Sequence, residues 1–189
     1  METDWEFEMG PDAAGLAAPV IEAHWEGFVD LQRQSERAGD LPEAAQVPAL
    51  AVALARLNAA DSPVWTSKCA YWPHLEAGEF DPYELDAPPG YAAHAMGCFI
   101  DLLPKSEQQW TLPDLAEKAC KRICGLLRVV PLRCCRVDLV IRHAIITPEI
   151  MDLGVTAYLT ACGESSAAAE KTLEAAMAAF ADALGPTQR

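Results

Sequence analysis

Basic residues are scarce in this chain. Its 189 residues hold 14 lysines and arginines against 28 aspartates and glutamates, a net charge of −14. A chain this acidic is poorly suited to phosphate backbones, so nucleic acid is not the expected partner. Long hydrophobic runs are missing as well. No window approaches the roughly 18 uninterrupted apolar residues of a membrane helix, and no membrane partner is expected. The acidic start METDWEFEMGPD lacks the basic and apolar regions of a secretory signal. The motifs GxGxxG, GxxxxGK, GxSxG and HExxH are absent, so no cofactor is expected. There is no CxxC pair. The seven cysteines, an odd number mostly inside apolar runs, fit a reducing cytoplasm better than a disulfide framework.

What is present is a core. Hydrophobic residues make up 51% of the chain, which excludes wholesale disorder. The expected organisation is an acidic N-terminal arm, 1–18, and one α+β domain, 19–189. Charge is segregated. Residues 1–40 carry ten acids against Arg33 and Arg37, and residues 73–90 carry five acids and no lysine or arginine. Lys118 to Arg142 holds seven bases against the single acid Asp138. The separation raises the prospect that an acidic segment lies over the basic strip.

Periodicity gives the elements. In TDWEFEM, Asp4, Glu6 and Glu8 alternate with Trp5, Phe7 and Met9, the pattern of an edge strand or clamp-like arm. Pro19 to Ala38 reads as a helix with Ile21, Trp25, Phe28 and Val29 on one face. A second helix, opened by Asp40 and Glu43 and interrupted at Pro48, presents Leu50, Leu54 and Leu57. Strands follow at 64–72 and 94–104, separated by a long acidic loop. A third helix, with Thr111 as cap, precedes strands over Pro131–Ile146 and 153–163. The last helix starts at Ser165 or Ser166 and stops at Gly185-Pro186. The order is α-α-ββ-α-ββ-α. It predicts a two-layer sandwich of a mainly antiparallel four-stranded sheet, five-stranded if the N-terminal alternation joins, with helices on one face. The helix–strand–strand layout recurs over 48–104 and 113–163, a weak internal duplication. In element order it resembles small acidic bacterial secretion chaperones, which implies a protein segment as partner.

Side-chain parity locates the candidate site. With Val137, Leu139 and Ile141 facing the core, Arg136, Asp138 and Arg142 face outward beside Thr156, Tyr158 and Thr160. Lys68, Trp72, Phe99 and Asp101 join them from the first hairpin. Two functions fit such a mixed platform. In the first, a binding or adaptor protein uses the open face for a protein segment or a second copy of itself, as a homodimer. In the second, an enzyme or small-ligand binder recognises an anion in a cleft between this face and loop 73–90. Arginines clamp a carboxylate or phosphate well. Cross-strand pairing among these charges is the purely structural alternative. No metal site is expected. The weaker alternative is zinc held by Cys69, His74, His94 and Cys98 across the hairpin. Cys134 and Cys135, as neighbours on a strand, point their sulfurs to opposite faces and cannot share an ion.

Overall fold

A computed structural model describes residues 1–9, 19–106, 110, 112–147 and 150–185. Its elements are β1 (Glu2–Phe7), β2 (Val20–Glu22), a 3-10 helix (Ser35–Asp40), α1 (Pro42–Gln46), α2 (Pro48–Leu57), β3 (Val64–Trp72), β4 (His94–Pro104), α3 (Pro113–Arg128), β5 (Cys135–Thr147), β6 (Ile150–Gly163) and α4 (Ser166–Ala183). The sheet is six-stranded and mixed, in the order β1-β5-β6-β4-β3, with β2 also on β5. The expected antiparallel four-stranded sheet is its β3–β6 part. The additions are β1 and β2, both parallel to β5.

The alternation in β5 and β6 does what its parity demands. Val137, Leu139 and Ile141 of β5, Val155, Ala157 and Leu159 of β6, and Cys98, Ile100 and Leu102 of β4 enter one buried cluster. Leu50, Leu54 and Leu57 of α2, Ile123 and Leu127 of α3, and Leu173, Met177 and Phe180 of α4 complete it. Each fully buried side chain of this size stabilises the fold by about 1.5–3 kcal/mol. Pro48 restarts the chain as α2 rather than bending α1, because proline suits a first helical turn. Ser165 caps α4, its Oγ accepting from the Ala168 N–H at 3.2 Å. Leu41, not Asp40, precedes α1, and no side chain caps that helix. The expected cap Thr111, the stop at Pro186 and residues 10–18 of the arm lie outside the described residues.

The expected helix over Pro19–Ala38 is not formed. Val20–Glu22 is a strand, turns follow, and Gly27 takes a φ of +84° that breaks helical geometry. The reason is non-local pairing. The β4–β6 ladder ends at Leu102–Val155, whereas β5 and β6 stay paired to Thr147–Ile150. The edge that β2 takes is that of β5, free beyond Ile141 where the pairing with β1 ends, with Val20 opposite His143 and Glu22 opposite Ile145. Ile21 and Ala23 then bury with Trp65, Leu103 and Ala144 on the sheet face opposite the helix cluster. At the far edge, the Ser67 hydroxyl donates to the Glu22 carbonyl and the Lys68 ammonium reaches the Glu22 carboxylate at 3.2 Å. The leading helix of the expected order is therefore absent, while the helix–strand–strand alternation is present as α2-β3-β4 and α3-β5-β6.

Candidate functional site

Among the described residues the outer face is covered at both ends; between them Trp72 is exposed and Phe99, Asp138 and Tyr158 are half-buried, while Asp101, Thr156 and Val140 are buried. At one end β2 and its following turn lie over Trp65 and Leu103, with His24 stacked on Trp65 at 5.8 Å. At the other, loop 73–93 packs Leu75, Phe80, Leu85, Ala87 and Tyr91 over Ala95, Cys134 and Cys162. This middle band carries the residues that parity selected. Phe99, Tyr158 and Asp138 stand in register across β4, β6 and β5, and Asp101, Thr156 and Val140 form the next row.

An aromatic row crosses this band. Trp72 lies 5.8 Å from Phe99 between ring centres, Phe99 lies 6.1 Å from Tyr158, and the Arg142 guanidinium lies 5.5 Å from the Tyr158 ring centre. Gly97 stands opposite Trp72, and a Cβ there would sit 3.6 Å from the indole. Trp72 is 38% exposed. A β-bulge between Thr66 and Cys69 lets this happen. It shifts the parity of β3, so that Trp65 before it and Lys68 and Trp72 after it all face outward.

Both acidic segments reach the basic strip. Arg136 Nε donates to Asp138 Oδ1 at 2.7 Å, with Glu84 of the loop at 3.3 Å and Asp4 of β1 at 3.8 Å. Arg142 Nε donates to Glu8 at 2.8 Å, and its Nη2 also meets that carboxylate. Arg142 Nη1 donates to the Thr156 and Tyr158 hydroxyls at 3.2 and 3.0 Å. Arg133 forks onto Asp86 at 2.6 and 3.0 Å. Burial pushes the Asp101 carboxyl above the usual carboxylate range, while the Thr156 hydroxyl, donating at 2.6 Å, and the charges of Arg142 and Lys68 pull it back. Asp138 is likewise raised by burial and restrained by Arg136.

Four of the predicted residues, Arg136, Asp138, Arg142 and Tyr158, line one pocket of about 350 Å³ together with Asp4 and Glu6. Lys68 and Trp72 stand at the opposite, β3 side of the band. Asp101, only 6% exposed, lies between as a support for Thr156. The four zinc candidates are not gathered. Cys98 is buried in the helix-side cluster with Cys69 packed against that cluster, His74 is exposed and pairs with Glu76 at 3.3 Å, and His94 is exposed. Among the described residues no group of three or more His, Cys, Asp or Glu side chains is placed to hold a metal ion.

One feature of the sheet was hidden in the sequence. Just before the β5–β6 ladder, which opens at Cys135–Ala161, Cys134 meets Cys162: the Cys162 N–H donates to the Cys134 carbonyl at 2.9 Å and the two side chains pack in one buried cluster. Burial pushes the Cys162 thiol up to about 11, so both remain protonated. Cys134 adopts a φ of +61° and Asp86 one of +52°, and Arg133 ties the two positions together. The loop is thus fastened to the start of β5 at two backbone conformations that non-glycine residues rarely take.

Compared with protein-family models, with curated proteins and with solved structures, the chain matches none. Its role has to be read from the site.

Proposed function

We propose that the protein is a binding protein whose outer sheet face accepts a cationic segment of another protein. We read the molecule as a two-layer α+β arrangement, with helices over one face of the sheet only. The charge balance of the outer face carries the proposal. Among the described residues its four cations, Lys68, Arg133, Arg136 and Arg142, are met by six carboxylates, those of Glu22, Asp86, Asp4, Glu84, Asp138 and Glu8. An anionic ligand would first have to displace a carboxylate from Arg136 or Arg142 and would gain no net charge. A lysine- or arginine-bearing segment meets an excess of acid and the aromatic row Trp72, Phe99, Tyr158, which favours cations over its ring faces. A second copy of the chain brings the same excess of acid, so like charges oppose self-association through this face.

The test is fluorescence anisotropy with two labelled peptides, one alternating lysine and valine, the other glutamate and valine. The basic peptide binds, the acidic one does not, and affinity falls with added salt. Trp72→Ala weakens binding roughly five-fold, the worth of one cation–π contact of about 1 kcal/mol. Binding of the acidic peptide alone would return the face to the anion-recognition reading.

A further inference from the structure

The edge of the sheet beside Trp72 points to how such a segment docks, given the reading above. β3 closes the strand order, with β4 on one side of it. On its other side, among the described residues, the Thr66 N–H donates to Asn58 Oδ1 at 3.0 Å, and Ser67 and Lys68 meet Glu22. From Cys69 to Trp72 no strand pairs with the outward side among the described residues. Alternate residues of such an edge offer unpaired N–H and C=O groups, the template for strand addition.

A pocket of about 240 Å³ opens at this edge, with Val29, Leu31, Leu41, Leu54, Cys69 and Glu43 among its lining residues. That is below the range of small-molecule sites, roughly 300–1,000 Å³, and suits a single long side chain. The lining is mixed: beside the apolar side chains stand Thr66, Ser67, the carboxylates of Asp40 and Glu43, and Lys68, whose ammonium is held by Glu22 at 3.2 Å. Arg37 holds Asp40 at 3.0 Å. The Glu43 carboxylate has no ion-pair or hydrogen-bond partner among the described residues. Lysine and arginine are the side chains whose chemistry matches, an aliphatic stem ending in a cation.

We infer that a basic, extended segment of a partner protein adds to the edge Cys69–Trp72 as a further strand and places one lysine or arginine in this pocket, its head beside Glu43. Residues of the added strand on the outer side then continue the row of Trp72 and Phe99. Charge complementarity favours a foreign partner. Two copies joined edge to edge would bring Glu43 and Glu22 against their own counterparts.

The experiment uses the whole chain and the labelled lysine–valine peptide. Glu43→Gln keeps shape and removes charge, and Glu43→Lys reverses it. Circular dichroism confirms that both fold. Expected is a roughly ten-fold loss for Glu43→Gln, a larger loss for Glu43→Lys, and slowed amide exchange in residues 69–72 when peptide is bound. If the peptide binds, Trp72→Ala weakens it, and yet both Glu43 variants bind like the wild type with β3 exchange unchanged, strand addition is wrong and the outer-face reading stands. If the wild type binds no basic peptide, both fall. A sedimenting dimer that Glu43→Lys strengthens would assign the edge to a second copy and overturn the inference.

Discussion

Arg142→Ala probes whether the basic strip is consumed inside the molecule. The Arg142 side chain retains 19% of its exposure and Glu8 48%. The guanidinium makes charge-assisted bonds to Glu8 and single bonds to Thr156 and Tyr158. Bonds to charged groups are worth about 1.5–3 kcal/mol and neutral ones about 0.5–1.5 kcal/mol, and bonds from one side chain are not additive. Glu8 and Tyr158 regain water when the arginine is removed, which returns part of the loss. The net cost is about 2–3 kcal/mol. Glu8→Ala costs about 1 kcal/mol, and the coupling in a double-mutant cycle is about 1 kcal/mol, at the top of the range for exposed pairs. Arg142→Lys recovers little, because an ammonium cannot span the three partners. Urea unfolding followed by circular dichroism measures each value. If Arg142→Ala lies within about 0.5 kcal/mol of the wild type, or the coupling with Glu8 is nil, the acidic arm is not held by the strip and the charge balance behind the proposed function is wrong.

Asp101 has its carboxyl pKa raised in the folded state by burial. The unfolded chain therefore loses its proton first as pH rises past about 4, and Asp101 destabilises the fold from there upward. Asp101→Asn, which can still accept from Thr156, is more stable than the wild type at neutral pH, and the difference vanishes below pH about 4. A difference that grows on acidification would contradict the burial. The thiols of Cys69, Cys120 and Cys135, each pushed up to about 12 by burial, are protonated at neutral pH, so Ellman's reagent labels the native protein slowly and the urea-unfolded protein fully. Prompt labelling of one equivalent in the native state would refute that. A Cβ at Gly163 would lie 2.6 Å from the Ala169 nitrogen, whereas one at Gly125 in α3 meets nothing within 4 Å. Gly163→Ala is destabilising by about 1–3 kcal/mol or more, and Gly125→Ala stabilises by up to about 1 kcal/mol, both by urea unfolding.

Local pattern carried the reading of the sequence wherever pairing partners are near in the chain. The parity of β5 and β6 is legible because Val137, Leu139 and Ile141 alternate with charges, and it sets Arg136, Asp138, Arg142 and Tyr158 on one face. The failures are long-range. Ile21, Trp25, Phe28 and Val29 have helical spacing, but the β2 segment gains a strand partner more than 120 residues away at His143–Ile145. Nothing local signals that free stretch of the β5 edge. Cys134 meets Cys162 only once the register of β5 against β6 is known. The separation of acids from bases was the legible trace of the contacts that Asp4, Glu8 and Glu84 make with the strip. Their partners, by contrast, required the parallel pairing of β1 for Asp4 and Glu8 and the docking of loop 73–93 for Glu84.

Two-dimensional NMR of the labelled protein titrated with the lysine–valine peptide tests the central claim most directly. The account predicts that the Trp72 indole and the Phe99 and Tyr158 rings shift first, with the α4 surface unchanged. Saturable shifts confined to α3 and α4, with those three aromatic side chains unmoved, would contradict it.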